Sequence, residues 1–189
     1  MKRTFLAVPV TNAIRSLVAD LYKNLPELRR NVRLVAVENL HLTLKFLGAT
    51  AEEHIVSIIA EVEKIIRDSS RFEFTINGTG VFPRMSNPKV LWLGVEDPQK
   101  HLSAINRRLE NVLKTFGFPP ESRIFNPHLT LGRVKDFRNQ VLGIQKFLEY
   151  EFEPKINLVD RIIYFESNLT PEGAIYTPLH EFKLLTGRS

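Results

Sequence analysis

The sequence predicts an α+β fold with mostly antiparallel sheets. Short segments rich in β-branched and aromatic residues recur along the chain, and stretches with the periodicity of amphipathic helices separate them. The tetrapeptide His-Leu-Thr-Leu also occurs twice, at residues 41–44 and 128–131, on a predicted strand in each half of the chain. We infer an internal duplication, because two identical copies in corresponding places are improbable by chance.

Composition restricts the class of protein and its partners. The chain has 189 residues, 43% of them hydrophobic and 25% charged, which is enough apolar material for one domain spanning residues 1–189. It has no cysteine, so disulfides, thiolate metal sites and thiol nucleophiles are excluded. No apolar run has the length of a membrane helix or signal peptide, and we expect a cytoplasmic protein without membrane contact. The net charge of +5 favours anionic partners such as nucleotides or RNA phosphates.

Eight short segments are predicted to form strands because β-branched, aromatic or alternating apolar residues dominate them. They cover residues 4–8, 32–37, 41–47, 72–76, 90–95, 128–131, 156–165 and 175–184. The dipeptide Asn77-Gly78 after the fourth segment and residues 171–173 before the last are predicted turns.

Two helices are predicted from apolar residues that repeat every three or four positions. The first stripe consists of Ile55, Ile58, Ile59, Val62, Ile65 and Ile66, and the second of Leu102, Ile105, Leu109, Val112, Leu113 and Phe116. Gly117 and the pair Pro119-Pro120 end the second helix. Residues 141–148 are predicted to form a third, shorter helix.

Strand alternation gives each His-Leu-Thr-Leu motif a polar and an apolar face. A period of two places His41 and Thr43 on one face and turns the motif's leucines to the core, and His128 and Thr130 share a face in the same way. The imidazole and the hydroxyl of each motif then lie roughly 6–7 Å apart, a spacing that suits one phosphate group. If a pseudo-two-fold axis relates the halves, the imidazoles face each other across a cleft.

Two histidines and two threonines in this arrangement suit phosphoryl transfer without a metal ion. The ordinary pKa of histidine, about 6.5, allows one imidazole to be a neutral base and the other a protonated acid near neutral pH. The threonine hydroxyls can donate hydrogen bonds to the non-bridging phosphoryl oxygens and hold the phosphorus in line. We therefore predict acid and base catalysis by His41 and His128, with Thr43 and Thr130 as substrate-binding residues.

The other histidines and aromatic residues carry no predicted role in catalysis. His101-Leu102-Ser103 imitates the motif but lies in the second helix, where residues i and i+2 point apart, and His54 and His180 have no matching hydroxyl. Phe46, Trp92 and Phe125 are expected to pack rather than to stack on bases. Lys45 is interpreted as a solvated charge that can also line the cleft.

The chain resembles the 2H phosphoesterase superfamily, which is named for two His-x-Thr-x motifs, and within it the LigT-like RNA 2′,3′-cyclic phosphodiesterases, historically called 2′-5′ RNA ligases. The resemblance covers nearly the whole chain. Besides the two motifs it includes Arg3-Thr4-Phe5-Leu6-Ala7, Glu38-Asn39-Leu40, Phe46-Leu47-Gly48, Phe82-Pro83, Leu91-Trp92-Leu93-Gly94, Pro127, Arg133 and Glu166-Ser167-Asn168-Leu169.

The resemblance implies a bilobal fold of two pseudo-two-fold related lobes with flanking helices. It further implies a monomer that opens terminal 2′,3′-cyclic phosphates of RNA to 2′-phosphates, with neither metal nor cofactor. In this family pattern His41 is the proton donor to the departing 3′ oxygen, His128 is the acceptor that activates water, and Arg133 binds substrate. Strict alternation places Arg133 opposite His128, so we expect it to reach the phosphate only if the strand bulges or twists, which Gly132 would allow.

Two further functions are open on the sequence alone. A 2′-5′ ligase that joins RNA halves would use the same residues, since the reverse reaction exchanges the acid and base roles. A non-catalytic nucleotide-binding module would keep the scaffold without the chemistry, although both motif histidines are present.

Overall fold

A computed structural model describes residues 1–135, 142–171 and 173–186 of the chain. The strands within these residues are β1 Lys2–Pro9, β2 Val32–Leu34, β3 His41–Thr50, β4 Phe72–Arg84, β5 Asn87–Glu96, β6 His128–Val134, β7 Lys155–Val159, β8 Arg161–Thr170 and β9 Gly173–Lys183. The helices are α1 Asn12–Asn24, α2 Leu28–Asn31, α3 Glu52–Ile66, α4 His101–Leu113 and α5 Ile144–Leu148, with short 3₁₀ turns at Val37–Asn39 and Lys114–Phe116.

The described strands form two sheets whose paired strands are antiparallel. One sheet has four strands in the order β3-β1-β8-β9, and the other has five in the order β2-β6-β5-β4-β7. The two sheets meet along β3 and β6, the strands that begin with the two motif histidines. This architecture confirms the predicted α+β class of two antiparallel lobes with flanking helices.

Each sheet has its own layer of helices. Helices α3 and α4 pack on each other and against β9 and β3 of the first sheet, while α1 and α5 contact β7 and β4 of the second. The predicted stripes of α3 and α4 face inward, because the residues at their centres are buried: Ile58, Val62, Ile66, Leu102, Ile105, Leu109 and Leu113. The motif leucines are also buried, so the apolar face predicted for each motif packs into the core.

Helix α1 is an element that the sequence interpretation did not predict. Its buried residues, Ile14, Leu17, Val18, Leu21 and Tyr22, have the spacing i, i+3, i+4, i+7 and i+8 of an amphipathic helix. The signal was therefore present in the sequence. None of the described helices is long and apolar enough to cross a membrane.

The turn predicted at Asn77-Gly78 is wrong. The dipeptide lies inside the long strand β4, in a bulge between Ile76, which pairs with Val95, and Thr79, which pairs with Leu93. Gly78 has a φ of 71°, which a glycine adopts without strain, so the one extra residue of the bulge is accommodated without ending the strand. The chain reverses only between Arg84 and Asn87.

The single strand predicted for residues 156–165 is also wrong. It is two strands that break at Asp160: β7 pairs with β4 in one sheet, and β8 pairs with β1 in the other. The chain changes sheets at this residue, and its carbonyl accepts a hydrogen bond from the backbone N–H of Leu184.

The remaining differences concern element ends. The strand predicted for residues 32–37 stops at Leu34, and a 3₁₀ turn follows. Helix α5 begins at Ile144, whereas Val141 of the predicted helix lies outside the described residues. Glu172 of the turn predicted at residues 171–173 also lies outside them.

Candidate active site

The two motif histidines are held by the same local hydrogen bond. Nδ1 of His41 lies 2.7 Å from the carbonyl oxygen of Asn39, and Nδ1 of His128 lies 2.8 Å from that of Asn126. A carbonyl oxygen can only accept, so Nδ1 carries a hydrogen in both rings. Nε2 is then the nitrogen of each ring that can gain or lose a proton.

Aromatic side chains fix the orientation of both imidazoles. The His41 ring lies 4.8 Å from the Phe5 ring and meets the Tyr176 ring edge-on at 5.1 Å, whereas the His128 ring meets Phe82 edge-on at 5.0 Å. Removal of water by this packing lowers the pKa of His41 below its ordinary value of 6.5, although the Asn39 carbonyl opposes the shift. The His41 imidazole is therefore biased toward its neutral form in the free protein.

Trp92 lies beside the second histidine, with its ring centroid 5.1 Å from that of Phe82 and 6.5 Å from that of His128. A Cβ at Gly80 would come within 2.2 Å of the indole, so this glycine makes room for the ring. Trp92 thus packs against neighbouring rings, and Phe125 packs partly buried against the core.

A β-bulge occurs at the same place in both motifs. In β3, Thr43 pairs with Ala7 and Lys45 with Leu6, which leaves Leu44 without a partner. In β6, Thr130 pairs with Trp92 and Gly132 with Leu91, which leaves Leu131 without one. The extra residue reverses the in-and-out alternation beyond it.

The bulge in β6 brings Arg133 onto the face of the second motif. His128, Thr130 and Arg133 pair with Gly94, Trp92 and Val90, which alternate along β5 and so share one face. The condition stated for Arg133, a bulge next to Gly132, is therefore met. A Cβ at Gly132 would lie 2.6 Å from the Val32 side chain and 3.0 Å from the carbonyl oxygen of Arg33, so the close approach of β2 favours glycine here.

The bulge in β3 corrects two expectations, because the residues beyond it exchange faces. Lys45 is not solvated: its side chain is 2% exposed, and its Nζ lies 2.9 Å from both carboxylate oxygens of Glu110. Phe46 does not pack in the core: it is 41% exposed on the face of His41 and lies under the guanidinium of Arg3, 4.5 Å from the ring. Phe46 thus occupies in the first motif the position that Arg133 occupies in the second.

A side chain from each helix layer binds the carbonyl of the bulged leucine. Nδ2 of Asn106 in α4 donates to the carbonyl of Leu44 at 2.8 Å, and the hydroxyl of Tyr22 in α1 lies 2.8 Å from that of Leu131. Neither residue is among the predicted site residues. Asn106 had a weak signal, a polar residue four positions after Leu102 on a helix with an apolar stripe, whereas Tyr22 lies in the helix that was not predicted.

A cleft of about 890 Å³ joins residues from the two sheets. His41 and Thr43 of β3 and Arg133 of β6 line it, together with Arg3, Arg33 and Tyr176. His128 and Thr130 are partly buried on the face of β6 that carries Arg133, but they do not line this cavity. The structure thus brings three of the five predicted site residues into one cleft and aligns the other two on the strand that supplies Arg133.

The remaining histidines lie where the sequence predicted. His101 is the first residue of α4 and stacks on Phe72 with a centroid distance of 4.8 Å, His54 is exposed on α3, and His180 in β9 lies 3.4 Å from a carboxylate oxygen of Glu63. Among the described residues, no three His, Cys, Asp or Glu side chains form a group that could hold a metal ion.

Comparison with known proteins identifies the family. The model of the 2′-5′ RNA ligase superfamily matches residues 7–162, a range that includes both motifs and Arg133. The chain belongs to the 2′-5′ RNA ligase superfamily. Curated relatives named RNA 2′,3′-cyclic phosphodiesterase include one from Thermotoga maritima, 36% identical over 95% of this chain and 94% of its own length. Another, from Methanothermobacter thermautotrophicus, is 37% identical over 96% and 98%.

Solved structures agree with this membership of the 2′-5′ RNA ligase superfamily. A crystal structure of a protein from Thermus thermophilus superposes with a TM-score of 0.80 and 26% identity, over 98% of this chain and 100% of that one. E. coli LigT, crystallised with 3′-AMP, gives a TM-score of 0.76 and 25% identity, over 97% and 98%.

Proposed function

We propose that this protein hydrolyses 2′,3′-cyclic phosphate ends of RNA to 2′-phosphates. The observation that carries the proposal is the repeated motif: two strands that meet between the sheets present a histidine with the same Nδ1 hydrogen bond, a threonine on the same face and a bulge at the same position. The curated relatives named RNA 2′,3′-cyclic phosphodiesterase support this reaction over the alternatives.

The proposed reaction is an in-line displacement at phosphorus. Nε2 of His128 takes a proton from water as the water oxygen bonds to phosphorus, and Nε2 of His41 gives its proton to the 3′ oxygen as the phosphorus–O3′ bond breaks. The hydroxyls of Thr43 and Thr130 donate to non-bridging oxygens, and the guanidinium of Arg133 binds the negative charge that these oxygens already carry in the substrate. The reaction as proposed requires no metal ion.

The preference of the His41 imidazole for its neutral form affects its proposed role as the acid. Because packing lowers the pKa of this imidazole, few free molecules carry the proton at pH 7. A phosphate anion bound beside the ring favours the protonated form, so substrate binding itself loads the acid.

The experiment is to incubate the protein with adenosine 2′,3′-cyclic phosphate and to identify the product by chromatography. We expect adenosine 2′-phosphate, formed equally well with EDTA present. His41→Ala and His128→Ala each reduce the rate, while His54→Ala, an exposed histidine on α3, does not. An inert wild-type protein contradicts the proposal, and unchanged activity in both motif variants contradicts the mechanism.

Ligation is the second candidate, and the description of the matching family as the 2′-5′ RNA ligase superfamily favours it. The cyclic phosphate is again the group attacked: a 5′-hydroxyl takes the place of water and bonds to phosphorus as His128 takes its proton, and the phosphorus–O3′ bond breaks as His41 protonates O3′, which leaves a 2′-5′ linkage. Cleavage of that linkage is the reaction in which the acid and the base exchange roles. The rates of hydrolysis and of joining, measured on one pair of RNA halves that carry a 2′,3′-cyclic phosphate and a 5′-hydroxyl, separate the two activities.

The unit that acts is proposed to be a cytoplasmic monomer, one domain over residues 1–189. Both motifs come from a single chain, which supports a site complete in one copy, and the cysteine-free sequence suits a reducing compartment. Analytical ultracentrifugation of the active protein tests the oligomeric state, and loss of activity on dilution below a dimer's dissociation range would contradict it.

A further inference from the structure

The cleft contains a second arginine directly opposite Arg133. Arg33 of β2 pairs with Arg133 in the antiparallel ladder, and residues that pair in this way point to the same face. Both arginines are exposed, and both line the cleft that holds His41 and Thr43. Neighbouring strands lie about 4.8 Å apart, so the two guanidinium groups share one wall of the cleft.

In the described part of the chain, residues 1–135, 142–171 and 173–186, neither arginine of this pair has a carboxylate as an ion-pair partner. Glu38 lines the same cleft and is exposed, but it too forms no ion pair among these residues. Like charges that face each other across a ladder repel. An anion that binds between or beside the two guanidinium groups reduces this repulsion, so the pair favours anion binding.

The cleft has room for more than one nucleotide. Its volume of about 890 Å³ lies near the upper end of the range for small-ligand pockets, and its walls include exposed apolar side chains such as Phe46 and Ile175. An aromatic face beside a basic groove is the arrangement that binds successive bases and phosphates of a single strand.

We propose that Arg33 binds the internucleotide phosphate next to the terminal cyclic phosphate, so that the enzyme prefers oligonucleotide ends to mononucleotides. The inference rests on the proposed function, with Arg133 at the terminal phosphate. Arg33, one strand farther out on the same wall, then meets the next phosphate along the RNA backbone. It is a specificity residue: it contacts the substrate and takes no part in proton transfer.

The test compares three substrates that end in a 2′,3′-cyclic phosphate. They are adenosine 2′,3′-cyclic phosphate, the corresponding ApA dinucleotide, and the same dinucleotide with an uncharged methylphosphonate linkage. The variant is Arg33→Ala. The matched control is Arg30→Ala, which removes the same charge from an exposed position on α2 outside the cleft.

We expect Arg33→Ala to reduce kcat/KM roughly tenfold on the dinucleotide and to leave the mononucleotide within about twofold. In wild type, the methylphosphonate linkage should reduce kcat/KM by a similar factor. In Arg33→Ala it should have little effect, and this non-additivity would show that the arginine interacts with that phosphate. Arg30→Ala should behave as wild type, and the salt dependence of dinucleotide binding should weaken only in Arg33→Ala.

Equal loss on the mononucleotide and the dinucleotide, or no loss on either, would overturn the Arg33 subsite while the hydrolase activity stands. If wild type hydrolyses none of the substrates, the proposed function fails, and calorimetric titration with the same compounds still decides the subsite. The Arg33 subsite is supported if wild type binds the dinucleotide more tightly than the mononucleotide and Arg33→Ala abolishes that difference. Equal wild-type affinities for the mononucleotide and the dinucleotide overturn it.

Discussion

Main-chain carbonyls, rather than carboxylates, orient both motif histidines. Asn39 and Asn126 each lie two residues before their histidine and accept from its Nδ1, so neither ring is paired with a negative charge through that nitrogen. A neutral partner fixes the tautomer without strongly favouring the imidazolium form. The hydrogen bond at Nδ1 therefore leaves Nε2 of each ring as the nitrogen available for acid and base catalysis.

The lowered pKa of His41 predicts a pH-dependent stability. The unfolded chain binds a proton at this residue near pH 6.5, whereas the folded protein binds it only at lower pH. Above about pH 6.5, His41 adds no pH dependence to the free energy of unfolding. The free energy of unfolding falls as the pH drops from about 6.5 to the pKa of His41 in the folded protein. Urea unfolding of wild type and His41→Asn at about pH 7.5 and about pH 5 measures this, and we expect the loss on acidification to be smaller in the variant. An equal loss in both proteins would contradict it.

The side chains of the site were easier to predict than their directions. The two histidines and threonines follow from a repeated tetrapeptide, which is visible in the sequence. The exchange of Lys45 and Phe46 does not, because it depends on one bulged residue whose carbonyl is bound by a helix far along the chain. Gly132 signalled the second bulge, whereas Lys45 gave no comparable signal at the first.

At the level of elements, each helix layer stabilises the bulge of its own motif strand. Asn106 of α4 binds the Leu44 carbonyl, and Tyr22 of α1 lies within hydrogen-bond distance of two carbonyls, 2.8 Å from that of Leu131 and 3.0 Å from that of Val35. Neither bulged leucine has a partner in the ladder on the bulged side, and the carbonyl of Leu131 also accepts a hydrogen bond from the backbone N–H of Val35 at 2.8 Å. The side-chain contacts therefore add to the backbone hydrogen bonds that hold each bulge in place. The same contacts fix where the next exposed side chain enters the cleft.

Replacement of Tyr22 by Phe tests this coupling. The substitution keeps the buried ring and removes only the hydroxyl, so we expect the free energy of unfolding to fall by about 1 kcal/mol. We also expect a higher KM with little change in kcat, because a looser bulge shifts Arg133 without touching the histidines. Denaturant titration and steady-state kinetics measure the two effects.

Tyr150→Phe is the matched control, because its hydroxyl accepts a hydrogen bond from Asn24 at the surface and lies outside the cleft. It should change neither KM nor kcat. A KM change of the same size in both variants would refute the role assigned to the α1 contact.

The ion pair between β3 and α4 predicts a large cost for removing one partner. Lys45 is 2% exposed and Glu110 is 12% exposed, and Lys45 also donates to the carbonyl of Pro119 at 3.0 Å. Glu110→Ala leaves a buried ammonium group without its counter-ion, and we expect a loss of about 3–5 kcal/mol in the free energy of unfolding. Glu61→Ala, which removes the partner of the more exposed Lys64, should cost less than about 1 kcal/mol. Similar losses in the two variants, measured in urea, would contradict the interpretation.

For the whole molecule, local pattern predicted the α+β class, but the assignment of strands to sheets required tertiary information. Asp160 looked like the interior of one strand because apolar residues continue on both sides of it, yet the chain changes sheets there. Asn77-Gly78 looked like a hairpin turn because local sequence favours one, yet pairing of β4 with both β5 and β7 keeps the strand continuous. In both places long-range pairing overrides the local preference.

The two-lobed arrangement makes a prediction that neither lobe makes alone. If the imidazoles of β3 and β6 act on one phosphorus, each single substitution, His41→Ala or His128→Ala, should reduce kcat/KM on adenosine 2′,3′-cyclic phosphate by about 10²–10⁴-fold. The double variant should then be only slightly slower than the slower single variant, because an acid without its base contributes little. Losses that multiply would mean that the rings act in separate steps, and about half the activity left in each single variant would mean two separate sites. Thermal unfolding of all three variants, compared with wild type, establishes that the losses arise from chemistry rather than from failure to fold.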